Sequence, residues 1–310
     1  MNAASQSAPL AEVAGRVAFI TGGSSGIGLG LAQACVNAGM HVAITYRSGE
    51  HRDAALDQLA GAEARAFELD VTDRVAFARV ADEVEQSLGH VHLLACNAGI
   101  GIRAGAAEAS FADWDWGLGV NLGGVINAVA TFLPRLRAHG EGAQVLATAS
   151  TSGLAAGGGV GVYATAKFGV VGLIESLREE LAGTNIGASV FCPGFVRTNL
   201  VETEKRRPAE FANAQPKPST TAPTGAEEAA LRKFAGLAMD PLEAGRLALE
   251  GVRRNDLHIL THAEFAPVVR ERMEALLAAF PAEAAPRSRA MAAQRFLTPI
   301  YSSERDRRKP

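Results

Sequence analysis

The sequence predicts an α/β fold, a doubly wound parallel sheet of about seven strands, and three observations predict it. Short, nearly continuous apolar runs recur along the 310 residues, segments of helical length separate them, and a glycine-rich turn follows the first run. Strands that are apolar throughout are those covered by helices on both faces. Their alternation with helices implies βαβ units, a parallel sheet and right-handed crossovers.

The expected strands are Val17–Thr21, Val42–Tyr46, Ala64–Leu69, His92–Cys96, Gln144–Thr148, Ala188–Phe191 and His258–Leu260. Each is a short run bounded by turn residues. The expected helices are Ile27–Ala38, Arg52–Leu59, Arg74–Leu88, Phe111–Ala138, Val160–Leu181 and Leu242–Arg253. Asp70 or, better placed, Thr72 is the candidate N-cap before Arg74. In such a sheet ligands bind beyond the carboxyl ends of the strands. Two regions depart from the alternation. Glu202–Thr224, with Gln-Pro-Lys-Pro-Ser-Thr-Thr-Ala-Pro inside it, cannot be regular helix or strand, because proline fixes φ and removes a donor. Residues 199–235 therefore read as a substrate lid. Residues 263–310 read as a helical extension whose last ten or so residues fray, and residues 1–14 as a flexible lead-in to a dinucleotide-binding and catalytic domain over 15–262.

Composition narrows the function. With 48% hydrophobic residues the chain fills a large core, and a net charge of −3 with a pI near 6.2 gives no basic excess for nucleic acid. Cys35, Cys96 and Cys192 are odd in number, far apart and flanked by apolar residues, which suggests buried thiols in a reducing compartment. The first residues lack a basic start and an apolar stretch, so they do not read as a secretory signal, and no apolar run approaches the ~20 residues of a membrane span. A cytoplasmic protein is expected. None of the seven histidines has a partner at metal-ligand spacing, so no metal is assigned.

Thr21-Gly22-Gly23-Ser24-Ser25-Gly26-Ile27-Gly28 lies between the first strand and the first helix, the context of a Rossmann-type dinucleotide turn. Gly22 allows the tight turn, Gly26 lets backbone approach a pyrophosphate, and Gly28 lets helix pack on strand. The phosphates would sit on the helix N-terminus, where free N–H groups favour anions. After the second strand, where NAD sites carry an acidic residue for the ribose 2′-hydroxyl, the chain has Tyr46 and then Arg47-Ser48. A guanidinium with neighbouring hydroxyls from Ser48, Ser24 or Ser25 suits a 2′-phosphate, so NADP(H) is favoured, with NAD(H) use possible. A charge-assisted hydrogen bond is worth ~1.5–3 kcal/mol.

Tyr163 and Lys167 stand four apart on an expected helix, one turn on the same face, with Ser150 thirteen residues before the tyrosine. A phenol titrates near ~10 in water, and an ammonium nearby favours its phenolate. Ser150 would hydrogen-bond the substrate oxygen that Tyr163 protonates.

Taken together the motifs resemble the short-chain dehydrogenase/reductase family over roughly residues 15–262. Besides the glycine turn, the resemblance rests on Leu69-Asp70-Val71-Thr72, on Cys96-Asn97-Ala98-Gly99 (with Cys96 where the family has a first Asn), on Asn121, on the Ser150–Tyr163–Lys167 trio, and on Pro193-Gly194-Phe195-Val196-Arg197-Thr198. It implies that Ile27, Asp70, Val71, Asn97, Ala98, Gly99, Pro193, Gly194, Val196 and Thr198 touch the cofactor beside Tyr163 and Lys167. It also implies that Asn121 holds a water in a proton relay to Lys167. Asn97 would serve structure as well, bonding across strands, and Asn121 has a local helix-polar reading. A finer similarity, carried by Trp114–Asn127 and Arg206–Phe211, is to bacterial members with an extended C-terminus, such as Cα-dehydrogenases of lignin-derived aryl alcohols.

The expected activity is that of an alcohol dehydrogenase or ketoreductase interconverting a ketone and a secondary alcohol. The stretch between Ser150 and Tyr163 carries almost only small side chains. It is expected to border a roomy pocket for a bulky, aromatic substrate, the alternative being that its glycines serve flexibility alone. Arg103 is either a partner for a substrate carboxylate or a solvated loop residue. Two rival functions stay open: reduction of a 3-oxoacyl thioester, for which Lys205, Arg206 and Arg207 would form a basic patch, and a non-catalytic NADP-binding sensor or scaffold. A homodimer or homotetramer through the Phe111–Ala138 and Val160–Leu181 helices is expected.

Overall fold

The computed structural model describes residues 8–212, 236–294 and 298–308. Seven strands, β1 (Val17–Ile20), β2 (His41–Tyr46), β3 (Ala64–Glu68), β4 (Val91–Cys96), β5 (Ala143–Thr148), β6 (Ile186–Cys192) and β7 (His258–Leu260), form one sheet. It has the order β3-β2-β1-β4-β5-β6-β7, and all of its pairings are parallel. All seven expected strands are present, with ends displaced by no more than two residues. The order reverses direction between β1 and β4, which opens a crevice at their carboxyl ends.

Helices α1 (Gly26–Asn37), α2 (Arg52–Gln58), α3 (Arg74–Leu88), α4 (Phe111–Leu118), α5 (Gly124–His139), α6 (Gly161–Glu180) and α7 (Pro241–Arg253) cover the two faces. One core layer holds Phe19, Phe77, Phe132, Trp116 and Ile174; the other holds Ile20, Leu31, Ile44, Phe191 and Val252. Helices α1 and α7 touch backbone to backbone. A Cβ on Gly30 would lie 1.9 Å from the Pro241 carbonyl oxygen, and one on Gly245 would lie 2.3 Å from the Gly30 carbonyl carbon. Cys35, Cys96 and Cys192 are buried free thiols, as their apolar flanks suggest, and burial pushes each up to about 12.

Three sequence expectations need correction. The Phe111–Ala138 helix is not continuous: residues Gly119–Gly123 form a π-turn between α4 and α5, with Asn121 at its centre. Such bulges commonly mark functional positions. The same run, extended to His139, is long and apolar enough by length and composition to cross a membrane, and half of its apolar window is buried in the protein. The N-cap of α3 is neither Asp70 nor Thr72 but Asp73, whose carboxylate accepts from the backbone N–H groups of Val75 and Ala76. The C-terminal residues are not frayed, because Ile300–Arg307 form a helix, α10, pinned beside β7. Its Glu304 accepts from the Leu257 N–H at 3.2 Å, Arg308 donates to the His258 carbonyl at 2.6 Å, and Tyr301 donates to Glu175 at 2.9 Å. The preceding helices α8 (Ala266–Ala278) and α9 (Arg287–Ala293) bury no residue. Of the expected lid, 199–212 is two 3-10 turns, Asn199–Arg206 and Ala209–Phe211, and 213–235 lies outside the described residues.

Candidate active site

The crevice is a cleft of about 290 Å³, and every residue expected to bind cofactor or do chemistry lines it except Gly28. Gly28 sits behind the turn. A Cβ there would fall 2.3 Å from the Gly22 carbonyl oxygen, so only glycine lets α1 approach β1 this closely. Gly22 and Gly26 have φ of +63° and +52°, the left-handed region that glycine enters without strain.

The N-terminus of α1 is chemically bare. Ser25 stands at its N-cap but makes no side-chain capping bond, whereas α3 is capped by Asp73, α4 by a Ser110–Asp113 capping box and α7 by Asp240. The first N–H groups of α1 are therefore left for a ligand on the cleft side, which fits a pyrophosphate. Asn97 ties three strand ends together beneath this turn. Its amide donates to the Thr21 carbonyl at 3.2 Å, its carbonyl accepts from Thr148 at 3.2 Å, and its backbone N–H donates to the Thr21 hydroxyl at 2.8 Å.

At one end of the cleft lie Tyr46, Arg47, Ser48, His51, Leu69 and Asp70. The Asp70 carboxylate accepts from both the backbone N–H and the hydroxyl of Thr72, at 2.9 and 2.7 Å, which fixes the turn after β3. Arg47 is exposed and donates to the Arg206 carbonyl at 3.2 Å. His51 and Arg206, at this end, are cleft residues that reading along the chain missed. The only signal was the run Lys205-Arg206-Arg207, which looks like any basic surface.

At the other end the π-turn and α6 bring the catalytic candidates together. The fully buried Asn121 side chain clasps the Ile100 backbone, accepting from its N–H at 2.8 Å and donating to its carbonyl at 2.9 Å. A Cβ on Gly99 would lie 2.9 Å from the Asn121 carbonyl oxygen and 3.6 Å from Lys167 Nζ, so glycine here leaves the lysine a way to the cleft. Lys167, also buried, donates to the Thr148 carbonyl at 2.8 Å, and burial lowers its ammonium to about 8. Ser150 hydrogen-bonds Tyr163 and accepts from the Ser152 N–H at 3.1 Å, which fixes its side chain at the cleft. Burial raises the Tyr163 phenol, with the Ser150 bond opposing that rise. The expectation that Lys167 lowers Tyr163 is thus not met in this arrangement. The Nζ is 5.5 Å from the ring centroid and is itself desolvated, so burial dominates both groups.

The substrate side differs from the reading of the small-residue loop. Residues 151–160 do not line the cleft, and Gly157–Gly159 are exposed. The cover comes instead from the Asn199–Arg206 turn. Leu200 and Thr203 line the cleft, Gly101 donates to the Thr203 hydroxyl at 3.1 Å, and a Cβ on Gly101 would lie 2.6 Å from the Leu200 carbonyl oxygen. Arg103 is exposed and away from the cleft, which favours the solvated-loop reading. The basic run does not form a patch. Lys205 pairs with Glu202, while Arg207 bonds buried Asp113 at 2.7 Å and Glu204 at 2.8 Å and lies 4.5 Å over the Trp116 ring.

Comparison with known proteins places this cleft in context. The short chain dehydrogenase family profile matches residues 16–209. A C alpha-dehydrogenase of a Sphingobium species is 34% identical over 264 residues, 84% of this chain and 83% of that protein. A 3-oxoacyl-acyl-carrier-protein reductase of Thermotoga maritima is 32% identical over 200 residues, 64% of this chain and 81% of that protein. A crystal structure of a short chain dehydrogenase/reductase from Burkholderia phymatum in complex with NAD superposes with a TM-score of 0.78 at 32% identity, covering 89% of this chain and 99% of that one.

Proposed function

The chain belongs to the short-chain dehydrogenase/reductase family, and from that premise we propose that this oxidoreductase interconverts a bulky, aromatic ketone and its secondary alcohol with NADP(H). The observation that carries the reading is the convergence of Ser150, Tyr163, Lys167 and Asn121 on one end of a cleft whose floor is the bare N-terminus of α1. A nicotinamide dinucleotide supplies or accepts the hydride when bound. Everything else belongs to the chain. The N–H groups of α1 and the Gly22–Gly26 turn would hold the dinucleotide's diphosphate, and Pro193, Gly194, Val196 and Thr198 would border its reacting end.

Ser150 and Tyr163, hydrogen-bonded to each other at this end of the cleft, would share the carbonyl oxygen of a bound substrate. A phenol is protonated at neutral pH and burial favours that form further, so Tyr163 starts as the acid that donates to the oxygen during reduction. General acid catalysis of this kind contributes ~10²–10⁴-fold, and Ser150 steadies the oxygen as negative charge develops. Lys167, held by Thr148 and lowered by burial to about 8, is placed to return the proton, with Asn121 fixing the π-turn beside it.

NADP(H) is favoured by Arg47 and the absence of an acidic residue at the end of β2. The NAD-bound relative keeps NAD(H) in the test. The aromatic substrate is supported by the similarity to a C alpha-dehydrogenase. Similarity to a 3-oxoacyl reductase supports a second reading, thioester reduction. The pairing of Lys205 and Arg207 with carboxylates weighs against a carrier-binding patch. An intact catalytic trio weighs against a sensor or scaffold. Cytoplasmic location is supported by three buried free thiols, and a homodimer or homotetramer by exposed Phe111 on α4 and Ile126 on α5.

The deciding experiment follows NADPH and NADH consumption with aryl ketones, keto esters and 3-oxoacyl thioesters, with Tyr163→Phe as control. Turnover of aryl ketones with NADPH supports the proposal. Turnover of thioesters or small aliphatic ketones alone, or activity that survives Tyr163→Phe, refutes it.

A further inference from the structure

The Asn199–Arg206 turn is eight residues of 3-10 helix, about 16 Å long at ~2.0 Å per residue, and it runs along the cleft. Leu200 and Thr203 cover the end that holds Ser150 and Tyr163; Arg206 lines the far end with Arg47, Ser48 and His51. There the Arg206 guanidinium donates to His51 Nε2 at 2.9 Å, which leaves the imidazole proton on Nδ1, while Arg47 donates to the Arg206 carbonyl at 3.2 Å. The neighbours on either side of Arg206 are neutralised by Glu202, Glu204 and Asp113. Arg206 and Arg47 have no carboxylate partner among the described residues. Two arginines lining one end of a cleft, neither ion-paired among the described residues and with the Asp70 carboxylate there already taken by Thr72, make a seat for a dianion.

We propose that Arg206 completes, with Arg47 and His51, a site for the 2′-phosphate of an NADP dinucleotide, so that this cofactor fastens the turn that roofs the substrate end. NADH, which lacks the phosphate, leaves the turn unfastened. Arg206 is then a specificity-determining residue contributed by the substrate-covering segment. The inference rests on the NADP reading above and goes beyond it, since that reading needs Arg47 alone.

The test uses the full-length protein and needs no substrate. NADPH, NADH, adenosine 2′,5′-bisphosphate and AMP are titrated against wild type, Arg206→Gln and Arg47→Gln. Arg206→Gln is expected to weaken NADPH and the bisphosphate about tenfold, one charge-assisted contact at an exposed site, and to leave NADH and AMP within about twofold, which also shows that the variant is folded. Limited trypsin cleavage after Lys205 and Arg206, mapped by mass spectrometry, is expected to slow with the bisphosphate and not with AMP. An unchanged NADPH-to-NADH ratio in Arg206→Gln, beside a lowered one in Arg47→Gln, overturns the inference and leaves the NADP reading standing. Equal protection by the two nucleotides also overturns it. Equal NADH and NADPH affinity in the wild type overturns both.

Discussion

The two ends of the cleft are built on opposite electrostatic plans. At the Tyr163 end the ionisable groups are buried and moved by desolvation: Lys167 falls to about 8 and Tyr163 rises. At the Arg47 end the cations are exposed, and among the described residues Arg47 and Arg206 meet a backbone carbonyl and an imidazole and no carboxylate. Burial disfavours the charged form of each group, loosening the Lys167 proton and tightening that of Tyr163, and costs stability because charge is removed from water. Exposure leaves a full charge that discriminates between ligands at little cost to the fold. Substitutions at the first end should therefore strike rate and stability, and those at the second end ligand preference alone.

The sharpest break in that contrast is Tyr163→Phe. Turnover is expected to fall by about 10²–10⁴-fold while NADPH affinity, measured by fluorescence titration, stays within about twofold. Next comes Asn121→Leu, which strands the Ile100 N–H and carbonyl in the core. Each unsatisfied buried group costs about 1–3 kcal/mol, so thermal melting should fall by several degrees, with activity lost in parallel. Lys167 gives a pH signature. Its pKa is about 8 when folded and 10.5 when free, so between these values the unfolded chain binds more protons and stability rises with pH. Below about 8 both states are charged and the contribution is flat. Across the whole window the gain is about 3 kcal/mol. Lys167→Met should abolish the rise, read from urea unfolding at a series of pH values. The smallest effect is Arg47→Ala, expected to weaken NADPH about tenfold and leave melting temperature unchanged. A large loss of stability there would erase the distinction between the ends.

Most of the sheet was readable because its strands are apolar on both faces and its helices carry ordinary boundaries. The glycine turn and the Ser150–Tyr163–Lys167 spacing were readable because both are local along the chain. What escaped reading was set by contacts distant in sequence. Asn121 bends the helix from which it projects by gripping Ile100, twenty-one residues earlier. Arg206 joins the cleft by meeting His51, 155 residues away, while the adjacent Arg207 turns the other way into Asp113 and Trp116. No periodicity separates those two arginines. The tyrosine's raised pKa escaped too, because spacing revealed the lysine but not how far both groups are desolvated. The final helix is hidden from such reading because chain ends commonly fray, whereas its polar side chains fit it to Asp256 and Glu175.

That final helix bears on solubility. β7 is three residues long and stands at the rim of the sheet, where an open strand is a template for pairing with another molecule. Glu304 and Arg308 occupy the Leu257 N–H and the His258 carbonyl with side chains instead. A chain truncated before Ile300 would keep its cleft intact and present that rim bare, so its expected defect is self-association on storage or refolding rather than weakened chemistry.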